Sequence, residues 1–325
     1  YNALLAGDVA EDPYLANELE NYFPTPLRKR YRELMSRHRL RREIVCTAIT
    51  NSIVNRMGSA FTQRMQEETG VGVSSVARAY TIARESHDTV HTWAAIEALD
   101  NRVPANVQLS MATQTAGLLK HATRWMLDHL HGRLDIAATV PMYRSGVEVL
   151  REHAEGILNE SQLEIYHRTI QQYTDVGVPE ALARRIASHP LLFTAFDLVD
   201  VSAERKLPIE VVGRVYFHIG RELELDWLRD QITQLNVEGH WQAVARGTLR
   251  DDLYSQQRVL TSQALAKAGD ARGAMDQLDA WFKERHNRIQ HAQRVLNDMK
   301  TAGISDFPSL SVAMQEIRKL ARQGN

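Results

Sequence analysis

The sequence predicts an all-α fold, a multi-helix array that ends in a long helical hairpin. Three observations carry this. Apolar residues recur at three- and four-residue spacing through most of the 325 residues, and no run alternates with period two. Prolines stand just ahead of apolar-periodic runs, where their missing N–H costs nothing. Capping residues and glycines punctuate these runs at helix-sized intervals.

Taken in order, Asp12 and Pro13 start a helix to about residue 23, and Thr25 and Pro26 start a second. "LRREIVCTAITNSIVNRMG", residues 40–58, is a third, closed by Gly58 as the residue just past the last turn. Ser59 caps a helix to residue 69, and Ser74 or Ser75 opens "SVARAYTIARES". "DTVHTWAAIEALD" follows, and a long helix covers about 104–130. Later starts are Pro141, Asn159, Pro179, Pro190 and Pro208. Residues 240–268 form another long helix, joined through Gly269 and Asp270 to a seam. In that seam Met275, Leu278, Phe282, Arg285, Ile289, Ala292, Leu296 and Met299 keep coiled-coil spacing. The expected result is a hairpin with one cationic seam position, Arg285, closed on itself or shared between subunits. A soft boundary divides a helical core, 1–235, from the hairpin and terminal helix, 236–325.

With 44 % hydrophobic residues, 24 % charged residues and a net charge of −1, this is an ordinary globular composition. Near neutrality argues against a surface tuned throughout for nucleic acid or anionic lipid. No apolar run approaches the roughly 18 residues a membrane helix needs, and "YNALLAGDVAEDPY" lacks a signal-peptide pattern. The single cysteine, Cys46, excludes an internal disulfide and a Cys-rich zinc site. It falls in the uncharged stretch 44–55, where a thiol behaves as a small buried hydrophobe. The expected address is the cytoplasm, with no membrane and no nucleic-acid partner. An opening residue other than Met is expected of a piece of something longer.

Three motifs invite chemistry. "HDTVH" puts His87 and His91 at the i, i+4 spacing of a zinc helix, with Asp88 where a zinc protease carries Glu. Aspartate is one methylene shorter, no third ligand stands at a suitable distance, and thirteen histidines make the pairing common by chance. Two helix histidines are expected rather than a metal site. "GVGVSS" at 70–75 looks like half a dinucleotide fingerprint, but a helix precedes it and the third glycine is missing. A tight helix-to-helix turn is expected. Residues 27–43 carry eight arginines or lysines against two glutamates, with Tyr31 as the only aromatic. Stacking platforms for bases are scarce there, and guanidinium forks suit carboxylates on neighbouring helices or domains. No G-x-S-x-G, Cys-His pair or P-loop is present, so spacing alone shows no active site.

The helix over 40–58 poses the sharpest question. At about 100° per residue, Leu40, Ile44, Ala48, Asn51 and Asn55 share one stripe, with Arg56 beside them. Two carboxamides in an apolar stripe are either polar joints, bonded to neighbouring helices, or part of a face that docks another domain. An unpaired buried amide costs roughly 1–3 kcal/mol, so the first reading requires a partner for each.

Several phrases in order resemble one family: "DPYLANELENYFP", "HRLRREIVCTAITNSIVNRMG", "FTQRMQEETG", "VARAYTIARE" and "WAAIEALDNRVPA". They resemble the C-terminal region of the large bacterial NAD-specific glutamate dehydrogenases, most densely over about 12–104. The likeness continues weakly to "SLSVAMQEIRKLA", which looks like that family's C-terminus. The resemblance implies a long parent with regulatory modules, a dehydrogenase domain and this helical region. It implies a parent that oxidises L-glutamate to 2-oxoglutarate and ammonia while reducing NAD. The catalytic residues and the dinucleotide domain then lie outside this segment, which carries no catalytic, cofactor-binding or metal residue of its own. Arg41, Arg42, Glu43, Asn51, Asn55, Arg56 and Gly58 map onto the family and are expected to be structural or docking residues. Expected partners are the catalytic domain of the same chain and further copies of the parent in a homo-oligomer. The alternatives are a free-standing helical interaction module and an RNA-binding helical protein using residues 27–43.

Overall fold

A computed structural model describes residues 1–130 and 134–322. Among the described residues there are twenty α-helices, one short 3-10 turn (Val9–Glu11) and no strand. In chain order the first ten are α1 (Asn2–Ala6), α2 (Ala16–Tyr22), α3 (Thr25–Ser36), α4 (Arg41–Met57), α5 (Phe61–Thr69), α6 (Val73–Ser86), α7 (Thr89–Glu97), α8 (Ala105–His129), α9 (Ile136–Glu152) and α10 (Ala154–Ile157). There follow α11 (Glu160–Asp175), α12 (Glu180–Ala187), α13 (His189–Leu192), α14 (Ala195–Arg205), α15 (Ile209–Glu222), α16 (Leu225–Gln234), α17 (His240–Ala264), α18 (Gly273–Glu284), α19 (His286–Ala302) and α20 (Phe307–Arg322). The chain forms two units: Tyr1–Val147 with Thr169–His189, and Glu148–Arg168 with Pro190–Asn325.

In the first unit the most extensive helix pair is α6 on α8. Ala77, Ala79 and Ala83 keep α6 slim, while Tyr80 and Ile82 fill the space beside them, all fully buried. From α8 the buried face comes from Met111, Leu118, Leu119, Ala122 and Met126. Helix α4 lies against α2, the 3-10 turn, α1 and α5, and buries Val45, Cys46, Ile49 and Ile53.

In the second unit α15 is the hub, packing on α17, α14 and α10. Its buried side carries Val211, Val212, Val215, Tyr216 and Ile219. Gly213 permits a close approach, since a Cβ there would stand 2.7 Å from Ile157 Cγ2. The buried Gln257 of α17 donates to the Tyr216 carbonyl at 2.9 Å and accepts from Arg229 at 2.9 Å. Arg229 also donates to Asp226 at 2.6 Å and lies 4.8 Å over the Tyr254 ring. Both ends of the Gln257 carboxamide therefore meet a complement.

Most helix limits agree with the pattern, and four details differ. Asp12 does not start a helix directly: its side chain accepts the Tyr14 N–H at 3.0 Å in a turn, and α2 begins at Ala16. Pro141 lies inside α9, which begins at Ile136 with Asp135 accepting the Ala138 N–H at 3.1 Å. Burial of Ile136 and Val140 offsets the carbonyl partner lost to the proline. The seam is two helices, because the backbone leaves helical geometry at Arg285 (φ −103°, ψ 9°). Leu278, Ile289, Ala292 and Leu296 are buried as the spacing requires, but α19 packs on α20, and α17 packs chiefly on α15 and α20. Helix α17 meets the seam through its first half, α18, and α20 is the partner that α17 and α19 share. Residue 236 falls inside the second unit.

Candidate functional site

Around α4 the guanidinium groups act as clamps. Arg42 donates through Nη2 to the carbonyls of Leu5 at 2.9 Å and Gly7 at 3.0 Å, and through Nη1 to Glu11 at 2.5 Å. Arg41 takes the other Glu11 oxygen at 2.6 Å. One carboxylate thus ties the start of α4 to the 3-10 turn, while Arg42 satisfies carbonyls freed at the end of α1. Glu43 is half-buried in the first turn of α4, where the helix dipole favours a carboxylate. Arg56, near the other end, pairs with Glu97 of α7 and lies 4.9 Å over the Trp93 ring. Gly58 closes the helix at φ +85°, ψ 161°, with its N–H donating to the Val54 carbonyl at 3.0 Å.

The carboxamides do not behave as buried joints. Asn51 and Asn55 are both exposed, alongside Val54 at 42 % exposure and Leu40 at 50 %. Neither amide makes a hydrogen bond among the described residues. Helix α4 turns the stripe of Val45, Ile49 and Ile53 to the core, and the stripe of Asn51 and Asn55 outward. The expectation of an amide partner in the core is corrected by this rotation.

The polar joint of the first unit is Arg84, which the pattern did not single out. Its side chain is about 10 % exposed and reaches two other helices besides its own neighbour Glu85. It pairs with Glu18 of α2, donates to Ser52 Oγ of α4 at 3.2 Å and donates to Glu85 at 3.1 Å. Arg144 of α9 then holds Glu85 through its carbonyl at 2.9 Å and its carboxylate at 3.0 Å. The Tyr80 hydroxyl donates to the Ser52 carbonyl at 3.1 Å. Burial works against the Arg84 charge, but Glu18 and Glu85 outweigh it and keep the guanidinium protonated. Burial likewise pushes the Tyr80 hydroxyl up. The signal available in sequence was a charged pair, Arg84-Glu85, in an alanine-rich helix whose one other charge is Arg78.

The three motifs resolve as structure. His87 is buried at the end of α6, the backbone turns left-handed at Asp88 (φ +53°), and the His91 side chain is 81 % exposed. The two imidazoles therefore do not share one helical face. Asp88 receives His91 and the Arg185 fork instead. "GVGVSS" is a turn between helices: Gly70 caps α5 at φ +73° and Gly72 precedes α6. Cys46 is fully buried, and burial holds its thiol above the usual range. From the basic run, Arg32 meets Glu20 at 2.7 Å, Arg37 meets Glu33 at 3.0 Å, and Arg28 donates to Asn21 and to the Phe23 carbonyl. With Arg41 and Arg42 on Glu11, five of its eight cations are engaged inside the protein.

The described residues hold no group of three or more His, Cys, Asp or Glu placed to bind a metal ion. No described helix is long and apolar enough to cross a membrane. Comparison with known proteins gives one consistent result. The family description "Glutamate dehydrogenase, C-terminal" matches residues 1–319. The chain is 34 % identical over 322 residues to an NAD-specific glutamate dehydrogenase of Halomonas elongata, covering 99 % of this chain and 20 % of that protein. Its counterpart in Pseudomonas aeruginosa is 35 % identical over 320 residues, with 98 % and 20 % covered. The Mycobacterium tuberculosis protein is 28 % identical over 319 residues, with the same coverage. The chain thus spans about one fifth of the length of the curated relatives it matches. It belongs to the family of glutamate dehydrogenase C-terminal regions.

Proposed function

We propose that this chain is the non-catalytic C-terminal helical region of an NAD-dependent glutamate dehydrogenase. The whole enzyme would convert L-glutamate, NAD and water to 2-oxoglutarate, ammonia and NADH, with NAD bound outside this segment. The segment's role is mechanical: it braces the catalytic domain of its own chain, within a homo-oligomer in the cytoplasm. Arg41, Arg42, Arg56 and Gly58 fix the helices of the brace, and the outward face with Asn51 and Asn55 is free to meet that domain.

The observation that carries this reading is the end-to-end family match combined with the fate of the charges. Arg84, Arg42, Arg41 and Arg56 are each spent on carboxylates or carbonyls of neighbouring helices. Groups bound in this way are poor candidates for proton transfer or cofactor binding. The match to one segment of longer relatives supports a domain over a free-standing interaction module. Internal engagement of the basic run supports it over an RNA-binding protein.

Steady-state kinetics of the full-length enzyme test the proposal. Formation of NADH from L-glutamate and NAD is expected, and Arg56→Ala or Asn55→Ala should leave KM for both substrates within about twofold of the parent value. A folded full-length chain without this activity, or a strongly raised KM in either variant, contradicts it.

A further inference from the structure

Helix α3 lies on the outside of its own fold. Of its twelve residues only Met35 is buried, and its main packing partner is α2. Yet the helix is not polar all round. Leu27, Tyr31 and Leu34 are 41 %, 37 % and 65 % exposed, and Tyr22 at the end of α2 is 62 % exposed. At about 100° per residue, positions 27, 31 and 34 fall within roughly 60° of one another. The backbone bends within this stripe, at Tyr31 (φ −124°, ψ 20°).

The charges divide around the stripe. On one flank Arg28 and Arg32 turn back to α2, on Asn21 and Glu20. On the other flank Arg30 forms no ion pair among the described residues, and neither do Lys29, on the opposite side of the helix, and Arg39, beyond its end. Arg30 lies 5.3 Å over the Tyr31 ring, which holds its charge at the edge of the apolar stripe. A twelve-residue helix is marginal in water by itself, and one that buries a single side chain gains little from its own domain. An apolar ridge with an unpaired cationic edge is the anatomy of an interface core and rim.

We infer that Tyr22, Leu27, Tyr31 and Leu34 dock an amphipathic, carboxylate-edged helix from the remainder of the same polypeptide, the four fifths of its relatives' length that this chain does not span. This rests on reading the chain as part of a longer glutamate dehydrogenase. The unpaired Arg30 on the stripe's flank calls for a carboxylate, and the stripe calls for leucine-like partners at matching spacing. Tethering within one chain gives such a contact a high effective concentration, so a short stripe suffices.

Photo-crosslinking in the full-length enzyme tests this. A benzoylphenylalanine placed at Leu34 is used in oligomers assembled from mixed light and isotopically heavy chains, with the same probe at exposed Lys267 as control. The expected product joins residue 34 to an Asp- or Glu-bearing helix outside this segment, in light–light and heavy–heavy pairs only. Mixed light–heavy pairs would make the occupant a second copy and overturn the proposal, as would crosslinks to nucleic acid, or none above the control. Separately, Leu34→Asp should speed hydrogen exchange of residues 25–36 by about tenfold or more in the full-length enzyme, and unchanged exchange counts against docking. Activity separates the two readings. An active enzyme without the crosslink fails only the docking inference, and an inactive one with same-chain crosslinks fails only the proposed function.

Discussion

Arg185 donates to the Asp88 carboxylate at 2.8 Å and to the Asp88 carbonyl at 2.9 Å, across 97 residues of sequence. A third bond, to Thr92 at 2.9 Å, makes the guanidinium a lock between α12 and the start of α7. The lock joins the packing of α12 on α7 and α8 and the Gln114–Tyr173 bond in holding residues 169–189 to the first unit. It also steadies Asp88 in a left-handed conformation that a non-glycine residue seldom adopts. Arg185→Ala is expected to destabilise the first unit by about 1.5–3 kcal/mol in urea unfolding, as for charge-assisted bonds that are partly buried.

Arg84 should matter more. Replacing it with Met leaves the carboxylates of Glu18 and Glu85 largely buried, with Glu18 deprived of its cation. The expected loss is roughly 3 kcal/mol or more. Adding Glu18→Gln to Arg84→Met should recover part of that loss, because the stranded charge is removed. A double-mutant cycle by chemical denaturation measures the difference.

Asn51→Ala and Asn55→Ala are expected to change stability by less than about 0.5 kcal/mol, as for exposed groups without partners. Gly58→Ala is expected to cost on the order of 1–3 kcal/mol, although nothing lies within 4 Å of the added Cβ. The cost is conformational, since φ +85° with ψ 161° is a region reserved almost wholly for glycine. Thermal melts of the three variants side by side separate exposure from backbone strain.

Acid should weaken the first unit through two aspartates. The Arg78 hydrogen bond holds Asp8 below the usual carboxylate range. For Asp88, burial pushes upward, but His91 and Arg185 outweigh it and the net shift is downward. A folded-state value below the unfolded one means that the native chain binds fewer protons near that pH. The stabilisation is therefore complete above the unfolded value, about 4, and is lost as pH falls through the lowered values. Melting temperatures recorded from about pH 7 to pH 3 should show this fall, and Asp8→Asn with Asp88→Asn should flatten it.

The helices were legible because their signals are local. Gly58 ends α4, and Asn159 and Gln162 cap α11 reciprocally, accepting N–H bonds at 3.0 and 3.3 Å. Pro141 misled because a proline marks a helix start only when nothing else caps the turn before it, and Asp135 does. The orientation of α4 was not legible, since two apolar stripes lie side by side on it. One holds Ile44 and Ala48 and the other Val45, Ile49 and Ile53, and only packing on α1, α2 and α5 chooses between them. Arg84 was hidden for the same reason: its partners come from α2 and α4, far away in sequence.

We propose that this segment is a brace with no redox chemistry of its own. Isothermal titration of residues 1–325 with NAD, with L-glutamate and with both tests it most directly, after circular dichroism has established that the segment is helical. The expected result is a folded protein that gives no heat beyond dilution. Saturable binding of either ligand at micromolar concentration by the folded segment would contradict the claim.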